Sequence, residues 1–148
     1  MDQVVQNPVF TAYVITAVVL CLNILGLWGY SGAARVKTST VINKEDADTV
    51  AKGAQLVEAD PPEVARVLRA HRNATDNIVP FLILGYLYVQ VGASPAAAMV
   101  LFGLFTAARL VHSFAYLSGI QPWRTLSFAL GGLVTMAMVI DLLRLTLT

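Results

Sequence analysis

The chemically richest stretch of this chain is Arg66-Val-Leu-Arg69-Ala-His71-Arg72-Asn73-Ala-Thr-Asp76, an ionic cluster that runs directly into the apolar segment 78–91. At 100° per residue, Arg66, Arg69, Arg72, Asn73 and Asp76 fall within an arc of about 120° on a helix, and His71 points to the opposite side. A second polar stripe, Arg109, His112 and Tyr116, follows from three- and four-residue spacing on a later apolar segment. Arg124 opens the segment after that. Arg66, Arg69, Arg72, Arg109 and Arg124 face only Asp76, with Glu63 at the edge, so several cations lack a protein counter-ion. Guanidinium is planar and donates in a fixed fork, which suits carboxylates and phosphates. These residue types therefore point to recognition of a small anionic ligand. A structural network, with Arg72 paired to Asp76 one turn on and Arg69 capping a neighbouring helix, would use the same residues. The excess of cations favours the ligand. No metal site is expected.

The composition defines the solvent in which these groups must be placed. Hydrophobic residues make up 57% of the chain and charged residues 13%, with a mean hydropathy of +0.67. Soluble domains are roughly half apolar and a quarter charged. The chain therefore reads as an integral membrane protein, and its 148 residues as a single domain, 1–148. A net charge of +1 argues against a nucleic-acid surface. The lone Cys21 lies inside an apolar segment and reads as a small buried packing residue with no disulfide partner in the chain.

Stretches 8–30, 63–91, 96–117 and 125–147 are each near the ~20 residues that cross a bilayer as a helix. Backbone in hydrocarbon must bond internally, so the predicted fold is all-α, a four-helix integral membrane bundle. Gly92-Ala-Ser-Pro95 and Ser118-Gly-Ile-Gln-Pro122 are short joints, which makes the last three helices consecutive antiparallel neighbours. The first stretch is longer than the 7–15 apolar residues of a cleaved leader and is preceded by no basic residue, so it reads as a retained span. Arg35, Lys37, Lys44 and Lys52 place the polar loop 31–62 in the cytoplasm, with both termini on the other side. Arg144 is a mild dissent. In this topology Arg66 to Asp76, Tyr116 and Arg124 lie at one depth, with His112 about 6 Å and Arg109 about 10 Å deeper. Facing lipid would cost each such group on the order of 2.5–3.5 kcal/mol near the bilayer centre, so the three spans are expected to turn them towards one another.

These motifs resemble a known family, the membrane-associated proteins in eicosanoid and glutathione metabolism (MAPEG), and within it chiefly the microsomal prostaglandin E synthase branch and its bacterial relatives. The likeness rests on Arg66-Val-Leu-Arg69-Ala-His71-Arg72-Asn73-x-x-Asp76-Asn-Ile with Pro80-Phe81, on Arg109-x-x-His112-x-x-x-Tyr116-Leu, on Pro122-Trp-Arg124-Thr125, and on Asn43-x-Glu45-Asp46-Ala. It implies a homotrimer that binds glutathione between neighbouring subunits near the cytoplasmic face and meets a lipophilic electrophile from the bilayer. By matching position, Arg72, Asn73, Asp76, His112, Tyr116, Thr125 and Phe128 would line the tripeptide site. Arg69 would support it, Arg35 would reach it from the adjacent subunit, Arg124 would face the sulfur, and Asp46 would assist the chemistry. Transferase, peroxidase and isomerase activities all fall within what the resemblance implies. Asp76 stands where many relatives have glutamate, and Phe128 and Thr125 where the prostaglandin branch has tyrosine and serine. A non-catalytic lipid-binding scaffold of the same fold is the alternative, and an anion-conducting subunit a third reading. A scaffold has no need of a thiolate-stabilising cation, and a conducting stripe would continue past residue 78, where only Gln90 is polar in side chain up to Val91 apart from the two tyrosines.

Overall fold

The computed structural model describes residues 7–148. Four long helices, α1 (Pro8–Thr38), α3 (Pro62–Gln90), α4 (Pro95–Ser118) and α5 (Trp123–Leu147), make up most of it. Between α1 and α3 lie strand β1 (Thr40–Val41), the short helix α2 (Lys44–Asp48) and strand β2 (Gln55–Leu56). The all-α expectation holds, with one small parallel pairing, Thr40 to Gln55 and Val41 to Leu56, in the polar segment.

The helix ends follow local chemistry. Asn7 accepts from the Val9 amide at 2.9 Å with Pro8 in the first turn, and Ser94 accepts from the Ala97 amide at 3.2 Å with Pro95 following. Helix α4 closes at Gly119, whose φ of 71° lets its amide reach the Tyr116 carbonyl while Ile120 reaches back to Ala115. Within α3, Pro80 has no N–H to give the carbonyl of Asp76, so the ladder loses a bond just beyond the ionic cluster.

Three of the long helices, α1, α4 and α5, are long and apolar enough to cross a membrane. Helix α3 is comparable in length but carries the charged cluster in its first half. Helix α1 does not stop at residue 30 but continues to Thr38, so Arg35 and Lys37 sit in its last turn rather than in a loop. Cations are favoured there by the helix dipole, and Ser39, left-handed at φ 51°, ends the helix. The expected burial of Cys21 is not met: it is exposed on α1. That helix turns Ile15, Val18, Leu22 and Leu25 outwards as well, because a lipid-facing helix is apolar on its outer side too.

Aromatic rings fill the centre. Phe81 stacks on Phe105 with centroids 3.5 Å apart, and Phe102 meets Phe81, Tyr88 and Tyr13 at 6.0–6.4 Å. Lipid tails are as apolar as the rings, so close packing rather than water exclusion holds the helices together. Gly85 permits the approach of α1 and α4: a Cβ there would lie 3.1 Å from Phe102 and 3.3 Å from Tyr13.

Candidate active site

The short turn from α4 to α5 folds the second polar stripe against the first turns of α5. The buried His112 donates from Nδ1 to the Arg124 carbonyl at 2.9 Å, because a carbonyl can only accept. In the neutral ring that leaves Nε2 as an acceptor. Tyr116, one turn beyond His112, packs edge-on against its ring at 5.6 Å, and the Arg124 guanidinium lies over the Tyr116 ring at 5.0 Å. Gln121 joins this group: its amide oxygen accepts from Arg124 Nη2 at 2.8 Å and Nε at 3.2 Å, and its nitrogen donates to Thr125 at 3.1 Å. Phe128 closes the side, 5.8 Å from the His112 ring and 5.8 Å from the Arg109 guanidinium carbon.

Arg109 is only 1% exposed. Neither of its terminal nitrogens has a protein partner, and a buried unpaired charge costs several kcal/mol. Among the described residues, the buried side-chain polar atoms without a partner are Arg109 Nη1 and Nη2, His112 Nε2 and Asn73 Oδ1. All four belong to residues of the two sequence stripes. Two are cationic donors and two are acceptors, so the donors call for negative charge and the acceptors for N–H, O–H or S–H groups.

The expected gathering of all the polar groups within one chain does not occur. Helix α3 turns Val67, Ala70, Ala74 and Ile78 inwards, and at 100° per residue this stripe lies on the far side of the helix from the charged arc. Arg66, Arg69, Arg72 and Asp76 are consequently exposed, with Arg72 3.8 Å from Asp76. Arg66 reaches the turn at Gly119. Arg35 pairs with Asp60 at 2.9 Å, and Asp46 accepts from the Asn43 amide at 3.1 Å. Among the described residues no hydrogen bond, ion pair or ring contact joins Arg35, Asp46, Arg69, Arg72, Asn73 or Asp76 to the α4–α5 group.

Sequence reasoning missed Gln121 and Ser127. The signal for Gln121 was its place three residues before Arg124 in a tight joint. Ser127, buried, donates to the Trp123 carbonyl at 2.6 Å and lies 3.5 Å from His112 Nδ1. It missed Asp141 as well, which accepts from Tyr88 at 2.5 Å and from Arg144 at 2.8 Å.

Four long helices with a cationic group at one end define a membrane-protein class, and the MAPEG family model matches residues 13–144. The chain belongs to the MAPEG family. It is 35% identical to human microsomal glutathione S-transferase 1 over 147 residues, which covers 97% of this chain and 95% of that protein. The rat microsomal glutathione S-transferase 1 matches at 35% with the same coverage. Human prostaglandin E synthase is 32% identical over 141 residues, covering 95% of this chain and 91% of that protein.

Proposed function

We propose that this integral membrane protein is a glutathione-dependent transferase in which Arg124 stabilises the glutathione thiolate for attack on a lipophilic electrophile. Relatives named glutathione S-transferase and prostaglandin E synthase support the general class, a glutathione-dependent transferase or isomerase. The observation that carries the reading is the unpartnered Arg109 nitrogens together with the unpartnered His112 Nε2, with Asn73 Oδ1 on α3 a separate unmet acceptor. Glutathione, as co-substrate, has two carboxylates for the donors and ammonium, amide and thiol hydrogens for the acceptors. Arg72, Asp76, Tyr116, Thr125 and Phe128 complete the proposed binding surface, with Arg69 behind it.

The chemistry asked of Arg124 is modest. Bringing a thiol from a pKa near 8.5 to about 6.5 takes roughly 2.7 kcal/mol of differential stabilisation, which a partly desolvated guanidinium supplies. The thiolate then forms a C–S bond as the electrophile's leaving group departs with the bonding pair. Because the α3 face points away from the α4–α5 group, the reading requires a second copy of the chain to bring Arg72, Asp76 and Arg35 to it. A homotrimer meets that requirement, with Asp46 assisting from the polar segment. In this arrangement α3 is the fourth span and residues 39–61 lie in the cytoplasm. Hydroperoxide reduction and isomerisation remain within reach of the same thiolate, and Thr125 keeps a hydroxyl beside it.

Purified protein is expected to conjugate a halogenated nitrobenzene only when glutathione is present. Arg124→Ala should lower kcat by about 10²-fold while glutathione affinity falls far less. Equal losses in both would reduce Arg124 to a binding group. For topology, Lys44→Cys should react with an impermeant maleimide only from the cytoplasmic side, and labelling from outside would invert the arrangement.

A further inference from the structure

Two hollows, one at the α1–α4 seam and one between the end of α1 and the first turns of α3, share Tyr30 and Leu117 and form one open groove. The deeper part, about 440 Å³, is apolar along Leu27, Leu110 and Phe114 and has the hydrogen-bonded pair Asn23 and Ser113, 3.0 Å apart, at its side. The end part, about 330 Å³, is edged by Lys37, Glu63 and Arg66. The trough is open at Gly26, where a Cβ would meet nothing within 4 Å.

The two parts differ in charge as the two parts of an amphiphile do. Arg66 has no hydrogen bond or ion pair with any described residue, and its guanidinium rests over the Gly119 turn. Lys37 reaches Glu63 only at 3.6 Å, with both side chains well exposed, a pairing too weak to neutralise the site. Asn23 to Tyr30 is about 10 Å of helix, within the ~15 Å depth of one leaflet's hydrocarbon. Trp28 and Tyr30 are exposed on α1 just below Lys37, the aromatic pair that marks a membrane–water boundary. The cations thus stand at headgroup level and the trough at acyl-chain level.

We propose that this groove binds an anionic glycerophospholipid, with one acyl chain over Gly26 and the headgroup phosphate at Arg66 and Lys37. None of these residues belongs to the proposed glutathione site, so the proposal survives or fails independently of it. Charge complementarity selects the lipid over an uncharged one, and the open trough selects a chain over a free anion.

The full-length protein is reconstituted in nanodiscs of equal phosphatidylglycerol and phosphatidylcholine, extracted gently, and its retained lipids are counted by native mass spectrometry. Wild type should retain phosphatidylglycerol in excess. Arg66→Gln should lower that excess about fivefold, the effect of one cation near the surface, while Arg66→Lys keeps most of it. Gly26→Leu should reduce retention of both lipids. Equal retention of the two lipids by wild type overturns the proposal, as does an unchanged ratio in Arg66→Gln or undiminished retention in Gly26→Leu. Efficient disulfide formation between copies carrying Gly26→Cys would also overturn it, because a second copy would then cover the trough.

Discussion

Both ends of the helical bundle hold a polar group where α5 meets its neighbours, and they are built on opposite principles. At the far end, the buried Tyr88 donates to one Asp141 oxygen at 2.5 Å and Arg144 pairs with the other at 2.8 Å, so donors and acceptors are matched within the chain. At the near end, Arg109 and His112 are as deeply buried yet keep three atoms without protein partners. That network ties α3 to α5 and, among the described residues, leaves no buried polar side-chain atom of its own without a partner. An unsatisfied one costs stability in the free protein, and that cost is recovered only when something else supplies the missing bonds. On the proposed reading, the difference separates a clamp from a binding site.

The comparison is tested most severely at Arg109. Replacing a buried unpaired cation with an apolar residue removes a desolvation cost, so Arg109→Leu should leave the thermal midpoint of the glutathione-free protein unchanged or raise it. If Arg109 meets a ligand carboxylate, glutathione affinity should fall by at least ~30-fold in the same variant, measured by calorimetry. A lowered midpoint with unchanged affinity would place Arg109 among the structural groups and erase the contrast between the two ends.

Asp141→Ala is the mirror experiment. It strands the Tyr88 hydroxyl and the Arg144 guanidinium together, and should cost about 2 kcal/mol in thermal or denaturant unfolding, the penalty of leaving buried partners unmade. Arg144 is itself largely exposed and regains water, which keeps the loss below that of a fully buried pair. Glutathione affinity should not move. A variant that lost binding but kept stability would make the far end part of the site.

Much of this architecture was legible in the sequence, and the exceptions have identifiable causes. Hydropathy placed α1, α4 and α5 because hydrocarbon tolerates few alternatives, whereas α3, with its charged first half, is not apolar enough to be counted with them. Three- and four-residue spacing identified the Arg109, His112 and Tyr116 stripe, which the structure keeps on one side of α4. The end of α1 was missed because Ser31 to Lys37 look polar, although Ala33, Ala34, Arg35 and Lys37 are good helix formers and nothing breaks the helix before Ser39. The burial of Cys21 was misjudged because apolar character in a membrane helix does not say which side faces inwards. Asp141 escaped notice since its partner Tyr88 lies 53 residues away, a pairing that only tertiary packing reveals. The spacing gave the charged arc of α3 correctly, but an arc has no absolute direction. The small residues Ala70 and Ala74 opposite it take the core, which the cluster taken alone did not show.

The gentlest test lies on that charged arc. Arg72 and Asp76 are 86% and 65% exposed at 3.8 Å, an i, i+4 pair worth well under 1 kcal/mol to the folded chain. Arg72→Gln should therefore leave unfolding unchanged within error, and any loss of glutathione affinity cannot be assigned to a damaged fold. A several-fold rise in Kd would mean that the ligand touches a face pointing away from the α4–α5 group of the same chain. Contact with both surfaces then demands two copies. Mixing Arg72→Gln subunits with Arg124→Ala subunits should restore activity at those interfaces where an intact α3 meets an intact α5. Failure of the mixture to exceed either variant alone would confine the site to one chain and leave the outward arginines to the bilayer surface.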